Sequence, residues 1–316
     1  MRERSYRRLH EEERHTIYRM GKEQYSQSRI AGALGCSQST ISRELSRNRG
    51  GRGYRPKQAQ EKAQRRQEEK RHRGHVIVGA LAEEVRERLA RKHSPEQVSG
   101  ALRKETGEGP SRTSLYNYIL ADKEAGGDLH KNLRINGKRR YRHRNKAYRH
   151  KLPARVDISV RPAIVNRRLR YGDWEADLIQ GGSGYLLSLY ERKSRFCRVA
   201  RLRSKESGAT ADAIIAVLQG YKAHTITYDN GLEFADHERV NAALGSKSYF
   251  CKPWHSWEKG GVENSNGLLR QYFPRGTDFL HMDEASLVHV ERELNERPRK
   301  SLHYNSPSNL QHLLIA

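Results

Sequence analysis

The sequence predicts a multidomain protein in which N-terminal all-α helix-turn-helix units precede a C-terminal α/β domain. Apolar residues recur at helical spacing as far as Ile119, whereas after Arg155 short β-branched and aromatic runs alternate with turn residues. Charge divides the chain at the same place: residues 1–155 hold 39 Lys/Arg against 18 Asp/Glu, and residues 156–316 hold 22 against 19. Nearly all of the net +24 therefore lies in the helical half, which marks that half for a polyanion partner with salt-sensitive affinity. The length of 316 residues is enough for two or three units, each with its own core.

Composition and motif breaks divide the chain further. The expected segments are a helix-turn-helix domain over 1–55, a basic linker or exposed helix over 56–75, a second helix-turn-helix-like domain over 76–126, a basic linker over 127–160 and an α/β domain with a C-terminal helix over 161–316.

From Leu9 to Arg49, the spacings Ile17/Met20, Ile30/Leu34 and Ile41/Leu45 give three short helices one inward face each, and Gly35 supplies the tight turn between the second and third. In such a unit the third helix enters the major groove. Gln38, Ser39 and Thr40 at its start can reach base edges, while Arg43, Arg47 and Arg49 can meet phosphates. Residues 56–75 are charged all round with hardly an apolar anchor, which suits an exposed helix or a linker crossing a phosphate backbone.

In the second unit, Val78, Leu81, Val85 and Leu89 mark one face of a helix. Ser94-Pro95-Glu96-Gln97 then reads as an N-cap, a proline at the first helical position and a capping-box glutamine. Val98 and Leu102 continue the inward face, Gly107 to Pro110 ends the helix, and Ser111 to Ile119 forms a third helix with a polar leading edge. Arg112, Thr113, Ser114 and Asn117 are its candidate DNA contacts, with a structural or dimer-forming bundle as the alternative. Between Lys131 and Arg155 there are 11 Lys/Arg, including Arg139, Arg140 and Arg142, no Asp or Glu, and interleaved Tyr141 and Tyr148. Such a segment is expected to order along DNA phosphates and to tether reader to catalyst.

The C-terminal half reads as strands at Tyr171–Ile179, Tyr185–Tyr190 and Phe196–Arg203, forming a meander through two hairpin turns. There follow a helix with Ala211, Ile214, Ile215 and Leu218 on one face, a strand at His224–Tyr228, a helix from about Glu233 to Leu244, a strand at Lys247–Phe250 and a long helix from about Glu258 to Tyr272. That order is the order of a ribonuclease-H-like domain. Asp177 falls near the end of the first strand, Asp229 immediately after the fourth and Glu263 within the helix that follows the fifth, so the three carboxylates can converge. Carboxylates suit hard divalent ions, and two such ions serve an in-line displacement at phosphorus. Asp173 and Glu175 share the strand face of Asp177, so spacing does not choose among the three.

Three longer motifs carry a resemblance: Tyr-Gly-Asp-Trp-Glu-Ala-Asp-Leu-Ile from Tyr171, Tyr-Asp-Asn-Gly-Leu-Glu-Phe from Tyr228, and Trp-Glu-Lys-Gly-Gly-Val-Glu-Asn-Ser-Asn-Gly from Trp257. Together with Ile-Ala-Gly-Ala-Leu-Gly-Cys-Ser-Gln-Ser-Thr from Ile30 and Asn-Glu-Arg-Pro-Arg-Lys-Ser-Leu from Asn295, the chain resembles the insertion-sequence-thirty family of bacterial transposases over essentially its whole length. The resemblance implies a retroviral-integrase-like catalytic domain of the DDE type. Its acids are Asp177, three residues after Trp174, then Asp229, and Glu263 after a further 33 residues. Ala176 stands where many relatives have Gly, and the ending Tyr-Asn-Ser-Pro-Ser-Asn departs from the family's usual form; neither touches a proposed ligand.

The function so implied is binding of an element's terminal inverted repeats, followed by Mg²⁺-dependent strand cleavage and transfer, with Mn²⁺ expected to substitute. Partners are double-stranded DNA, as element ends and as target, and further copies of the chain in at least a dimer. Arg270, seven residues after Glu263 on the same helix face, is a candidate phosphate clamp. Trp254, His255 and Trp257 offer a stacking platform for a base or pack against the sheet, and Asn264 and Asn266 hydrogen-bond near the metals or only polarise the helix. The rival reading is a DNA-binding repressor or architectural protein with an inactive catalytic fold. Cys36, Cys197 and Cys251 form no C-x-x-C pair, and no apolar run is long enough to span a membrane. The expected location is the bacterial cytoplasm, in association with the nucleoid.

Overall fold

The computed structural model describes residues 9–71, 77–134, 152–253 and 255–316. They fall into two compact units, Met1–Val76 and Ile77–Ala316. Arg139, Arg140, Arg142, Tyr141, Tyr148 and Trp254 lie outside the described residues.

The first unit holds α1 (Glu11–Lys22), α2 (Gln27–Ala33), α3 (Gln38–Asn48) and α4 (Pro56–Arg71). Ile17, Ile30, Ala31 and Ile41 form its core, with Met20, Leu34 and Leu45 packed against it, as their helical spacing predicts. Gly35 adopts φ +62° at the turn between α2 and α3, a conformation that costs glycine little. Residues 56–71 are a docked helix: Ala59 is fully buried, and Arg14 of α1 donates to Gln60 (2.6 Å) while also pairing with Glu44 (2.8 Å). Polar contacts thus do what the missing apolar face could not.

In the second unit, α5 (Gly79–Ala90), α6 (Pro95–Thr106) and α7 (Arg112–Glu124) enclose Ile77, Val85, Leu89, Val98, Leu102, Leu115, Ile119 and Leu129. Ser94 and Gln97 cap α6 reciprocally, at 3.3 Å and 2.9 Å, with Pro95 in its first turn. One expectation is corrected: Val78 is 65% exposed and Ile77 is buried in its stead. The helix begins only at Gly79, so the 3.6-residue period does not extend back to Val78.

The bundle docks on the C-terminal segment. Arg91 pairs with Glu293 (3.1 Å) and Glu296 (2.5 Å), Gln97 donates to the Pro298 carbonyl (2.9 Å), and the Tyr304 ring lies so close to Gly100 that a Cβ there would come within 2.0 Å.

The sheet has the order β3-β2-β1-β4-β5, with β1 (Asp173–Gln180), β2 (Tyr185–Glu191) and β3 (Cys197–Leu202) antiparallel, and β4 (Thr225–Tyr228) and β5 (Lys247–Phe250) parallel to β1. The succession of these elements along the chain is the ribonuclease-H-like one that the sequence predicts, with β1-β2-β3 as its meander. A short α8 (Ala163–Asn166) precedes it, and α9 (Ser207–Leu218) and α10 (His237–Leu244) flank β4 in sequence. The helix expected from Glu233 begins at His237, after a 3-10 turn at Leu232–Phe234, and α11 (Gly260–Tyr272) follows a second such turn at Ser256–Lys259.

Two apolar layers sandwich the sheet. Trp174, Ala176, Leu187 and Ile226 pack with Ala211, Ile214, Leu218 and Val240 on one side. Ile179, Leu186 and Cys197 pack with Leu268 and Leu269 of α11 and with Leu287, Val290 and Leu294 of α12 (Glu284–Glu296) on the other. The C-terminal helix therefore covers its own domain. Asn295 exchanges hydrogen bonds with both backbone groups of Cys197 (2.8 and 2.7 Å), and Glu291 accepts from the Val199 N–H (2.8 Å), so α12 side chains pair the edge strand β3.

Candidate active site and nucleic-acid interface

Alternation along β1 puts Asp173, Glu175 and Asp177 on one face, and their partners separate them. Asp173 is fully buried and bound by Arg170 (2.9 Å) and the Thr225 hydroxyl (2.7 Å). Glu175, also buried, is paired with Arg192 and accepts from the backbone N–H of Val262 at 2.8 Å. That N–H is one of the first-turn donors of α11 with no partner inside the helix, so Glu175 caps α11 from the strand beneath it. Gly261 permits the approach, since a Cβ there would lie 2.4 Å from the Tyr190 ring and 2.7 Å from the Glu175 carboxylate.

Asp177 is left for different work. Its Oδ1 accepts from Lys259 Nζ (3.1 Å) and its Oδ2 from Asn266 Nδ2 (2.6 Å). Asp229, in the loop directly after β4, accepts from the same Lys259 Nζ through Oδ2 (3.2 Å), while its Oδ1 accepts from the Gly231 N–H (3.0 Å). Lys259 completes its set on the Ala176 carbonyl at 3.0 Å. Arg155 braces the Asp229 loop by donating to Asn230 (2.7 Å) and to the Cys251 carbonyl (3.0 Å).

Burial pushes the Asp177 carboxyl above the usual carboxylate range; the Lys259 ammonium pulls it back, and Asp229 raises it further. For Lys259, burial acts to lower the pKa, but Asp177 and Asp229 hold it above the ordinary lysine value. Glu233, whose carboxyl folds over Gly231, is likewise raised by burial and by Asp229 and Asp177.

The structure brings Asp177 and Asp229 together and leaves Glu263 outside that pair, exposed on the first turn of α11. Among the described residues, no three His, Cys, Asp or Glu side chains converge closely enough to hold a metal. The donors that do converge are all oxygens, two carboxylates and one carbonyl around a single cation, and the Asn266 Oδ1 beside them is buried without a hydrogen-bond partner. That donor chemistry fits a hard divalent cation.

Nothing in the sequence sets Lys259 apart. Its place one helical turn before Glu263 is one that spacing alone cannot distinguish from that of a surface lysine. Arg270 donates to the carbonyls of Gln180 (2.7 Å) and Pro274 (3.3 Å), tying the end of α11 to the end of β1. Asn264 accepts from Arg134 (2.7 Å). Trp257 is 69% exposed and lies beside His255, with ring centroids 4.5 Å apart and planes tilted by 55°.

On α3, Gln38, Ser39, Arg43 and Arg47 are exposed and Thr40 is half-buried, and Arg49, just past its last turn, is exposed as well. The Ser37 hydroxyl contacts those of Ser39 (2.8 Å) and Thr40 (2.9 Å), and Gln38 donates to Gln27 (2.9 Å). Glu44, the one acid in α3, is tied to Arg14 and to the Tyr54 hydroxyl (3.1 Å), so it faces the core and leaves the arginine face cationic. On α7, Arg112, Thr113 and Asn117 are exposed, while Ser114 is half-buried against the Ser111 cap (2.9 Å).

A helix-turn-helix domain family matches residues 5–48. The transposase of insertion sequence element IS4351 from Bacteroides fragilis is 41% identical over 305 residues, covering 94% of this chain and 93% of that protein. The transposase of IS1086 from Cupriavidus metallidurans is 36% identical over 319 residues, covering 96% and 93%. Transposase InsI of IS30A from Escherichia coli is 35% identical over 297 residues, covering 89% and 77%. The catalytic core domain of BIV integrase aligns with a TM-score of 0.36 at 19% identity, over 44% of this chain and 92% of that one. With such identity along nearly its whole length to transposases of this kind, the chain belongs to the insertion-sequence-thirty (IS30) family of transposases.

Proposed function

We propose that this chain binds the terminal inverted repeats of an insertion sequence and catalyses DNA strand cleavage and strand transfer, with Asp177, Asp229 and Glu263 as the catalytic carboxylates. The observation that carries the reading is the pairing of Asp177 and Asp229 around one cation at the ends of neighbouring parallel strands. Mg²⁺, or Mn²⁺ in its place, bound by these carboxylates would supply Lewis-acid stabilisation to the attacking and leaving oxygens at phosphorus. Water hydrolyses the donor strand, and the 3′-hydroxyl so released attacks a target phosphate; no covalent protein–DNA intermediate is required. Asn266 orients Asp177, the Gly231 N–H orients Asp229, and α11 carries Glu263.

DNA recognition falls to α3, with Gln38, Ser39 and Thr40 toward base edges and Arg43, Arg47 and Arg49 toward phosphates. Arg112, Thr113, Ser114 and Asn117 on α7 provide a second contact, the basic segment with Arg139, Arg140 and Arg142 follows the backbone, and Arg270 meets a phosphate at the element end. Exposed Trp257 is a stacking surface for a splayed base. Work on two DNA ends calls for at least a dimer.

The test is incubation of the protein and an Asp229→Ala variant with labelled element-end DNA and Mg²⁺, scoring 3′-end cleavage and joining. Products from the parent alone are expected, with DNA binding equal in both. Tight binding by both without cleavage in Mg²⁺ or Mn²⁺ would instead support a repressor whose catalytic fold is inactive.

A further inference from the structure

An ammonium group has three N–H donors and no acceptor. All three of Lys259 are matched: the Ala176 carbonyl at 3.0 Å, Asp177 Oδ1 at 3.1 Å and Asp229 Oδ2 at 3.2 Å. These oxygens come from β1 and from the loop after β4, segments far apart in sequence, and the Lys259 side chain is only 5% exposed among them. The result is a set of three oxygens around a cation that the chain itself supplies.

The outer carboxylate oxygens are occupied as well. Asp177 Oδ2 accepts from Asn266 at 2.6 Å, and Asp229 Oδ1 accepts from the Gly231 N–H at 3.0 Å. All four carboxylate oxygens therefore have donors, and the gap between the two side chains is filled by Nζ. A divalent cation sharing that gap would sit against a buried positive charge, which low-dielectric surroundings make strongly unfavourable. The butyl stem of Lys259 is long enough for the ammonium to swing clear while the backbone of α11 stays seated on Glu175.

We propose that Lys259 is a resident cation of this centre, holding Asp177 and Asp229 together before a divalent ion arrives and giving up its place when one binds. The proposal rests on the reading of these two aspartates as metal ligands. In this arrangement the carboxylate pair is preformed and neutralised in the metal-free protein, and divalent affinity is set by exchange against the ammonium.

Two measurements on the full-length protein test it. Mn²⁺ binding is followed by the electron paramagnetic resonance signal of free Mn²⁺ for the parent, Lys259→Met and Asp229→Asn. With the competing charge removed, Lys259→Met is expected to bind at least about tenfold more tightly than the parent, with Asp229→Asn binding far more weakly than either. The second readout needs no variant: acetic anhydride labelling of Lys259, read by mass spectrometry, is expected to rise severalfold on saturation with Mn²⁺. Equal affinity of parent and Lys259→Met, or labelling that Mn²⁺ leaves unchanged, overturns the exchange while leaving the aspartates as ligands. If parent, Lys259→Met and Asp229→Asn all titrate alike, the metal-ligand reading fails and this proposal fails with it.

Discussion

Asp173, Glu175 and Asp177 share one face of one strand and differ only in what surrounds them. The first is closed off by Arg170 and Thr225, and the second by Arg192 and the α11 backbone; only the third is joined to a residue from another strand end. Burial without a hydrogen-bond partner is equally decisive at His93, whose two ring nitrogens are both buried and unpaired. Burial pushes its pKa down to about 3, helped by Arg297, Arg91, Arg88 and Arg299. An unfolded histidine titrates near 6.5, so the unfolded chain takes up this proton first as pH falls. Stability contributed by neutral His93 is thus complete above about pH 6.5 and is lost between there and about pH 3, on the order of 1 kcal/mol per pH unit. Thermal melting across that range is expected to show a shallower acid slope for His93→Leu than for the parent; equal slopes would refute the assignment.

At the scale of elements, α11 is the part whose seating matters most. Its first turn is capped by Glu175, its end is tied by Arg270 to Gln180, and Gly261 gives it contact with the sheet. Gly261→Ala puts a methyl group against the Tyr190 ring and the Glu175 carboxylate, an overpacking expected to cost about 1–3 kcal/mol. The displaced helix carries Asn266 off Asp177 and shifts Glu263 with it, and misplacement on that scale is expected to lower strand cleavage about 100-fold. DNA binding through α3 stays intact. Cleavage assays beside filter binding check this, and unchanged cleavage would mean that the seat of α11 does not position the site. A second test concerns the cap of α6. Ser94→Ala removes the acceptor for the Gln97 N–H and is expected to lower stability by about 1 kcal/mol in denaturant titration, with little change if the docked bundle holds α6 by itself.

At the scale of the whole molecule, the cationic surplus of residues 1–155 dictates how DNA affinity responds to salt. Arg43 and Arg47 are exposed on α3, and the one acid of that helix, Glu44, is turned inward to Arg14. Replacing either by Ala is expected to reduce the slope of log affinity against log salt by about 1 if it meets a phosphate, and to leave the slope unchanged if it does not.

Local pattern was enough to read the helix-turn-helix core of Ile17, Ile30 and Ile41, the capping box at Ser94 and the succession of strands and helices along the C-terminal half. Each follows from a period, a cap or a motif that neighbouring residues supply. Tertiary structure alone decided which β1 acid is closed off and which meets Asp229, that α4 docks through Arg14 and Gln60, and that the bundle seats Gly100 against Tyr304. It alone put Lys259 between two aspartates distant in sequence. A charged side chain reads the same in a one-dimensional pattern whether it lies in solvent or among oxygen acceptors, and only the folding of remote segments around it supplies the partners that tell the two apart.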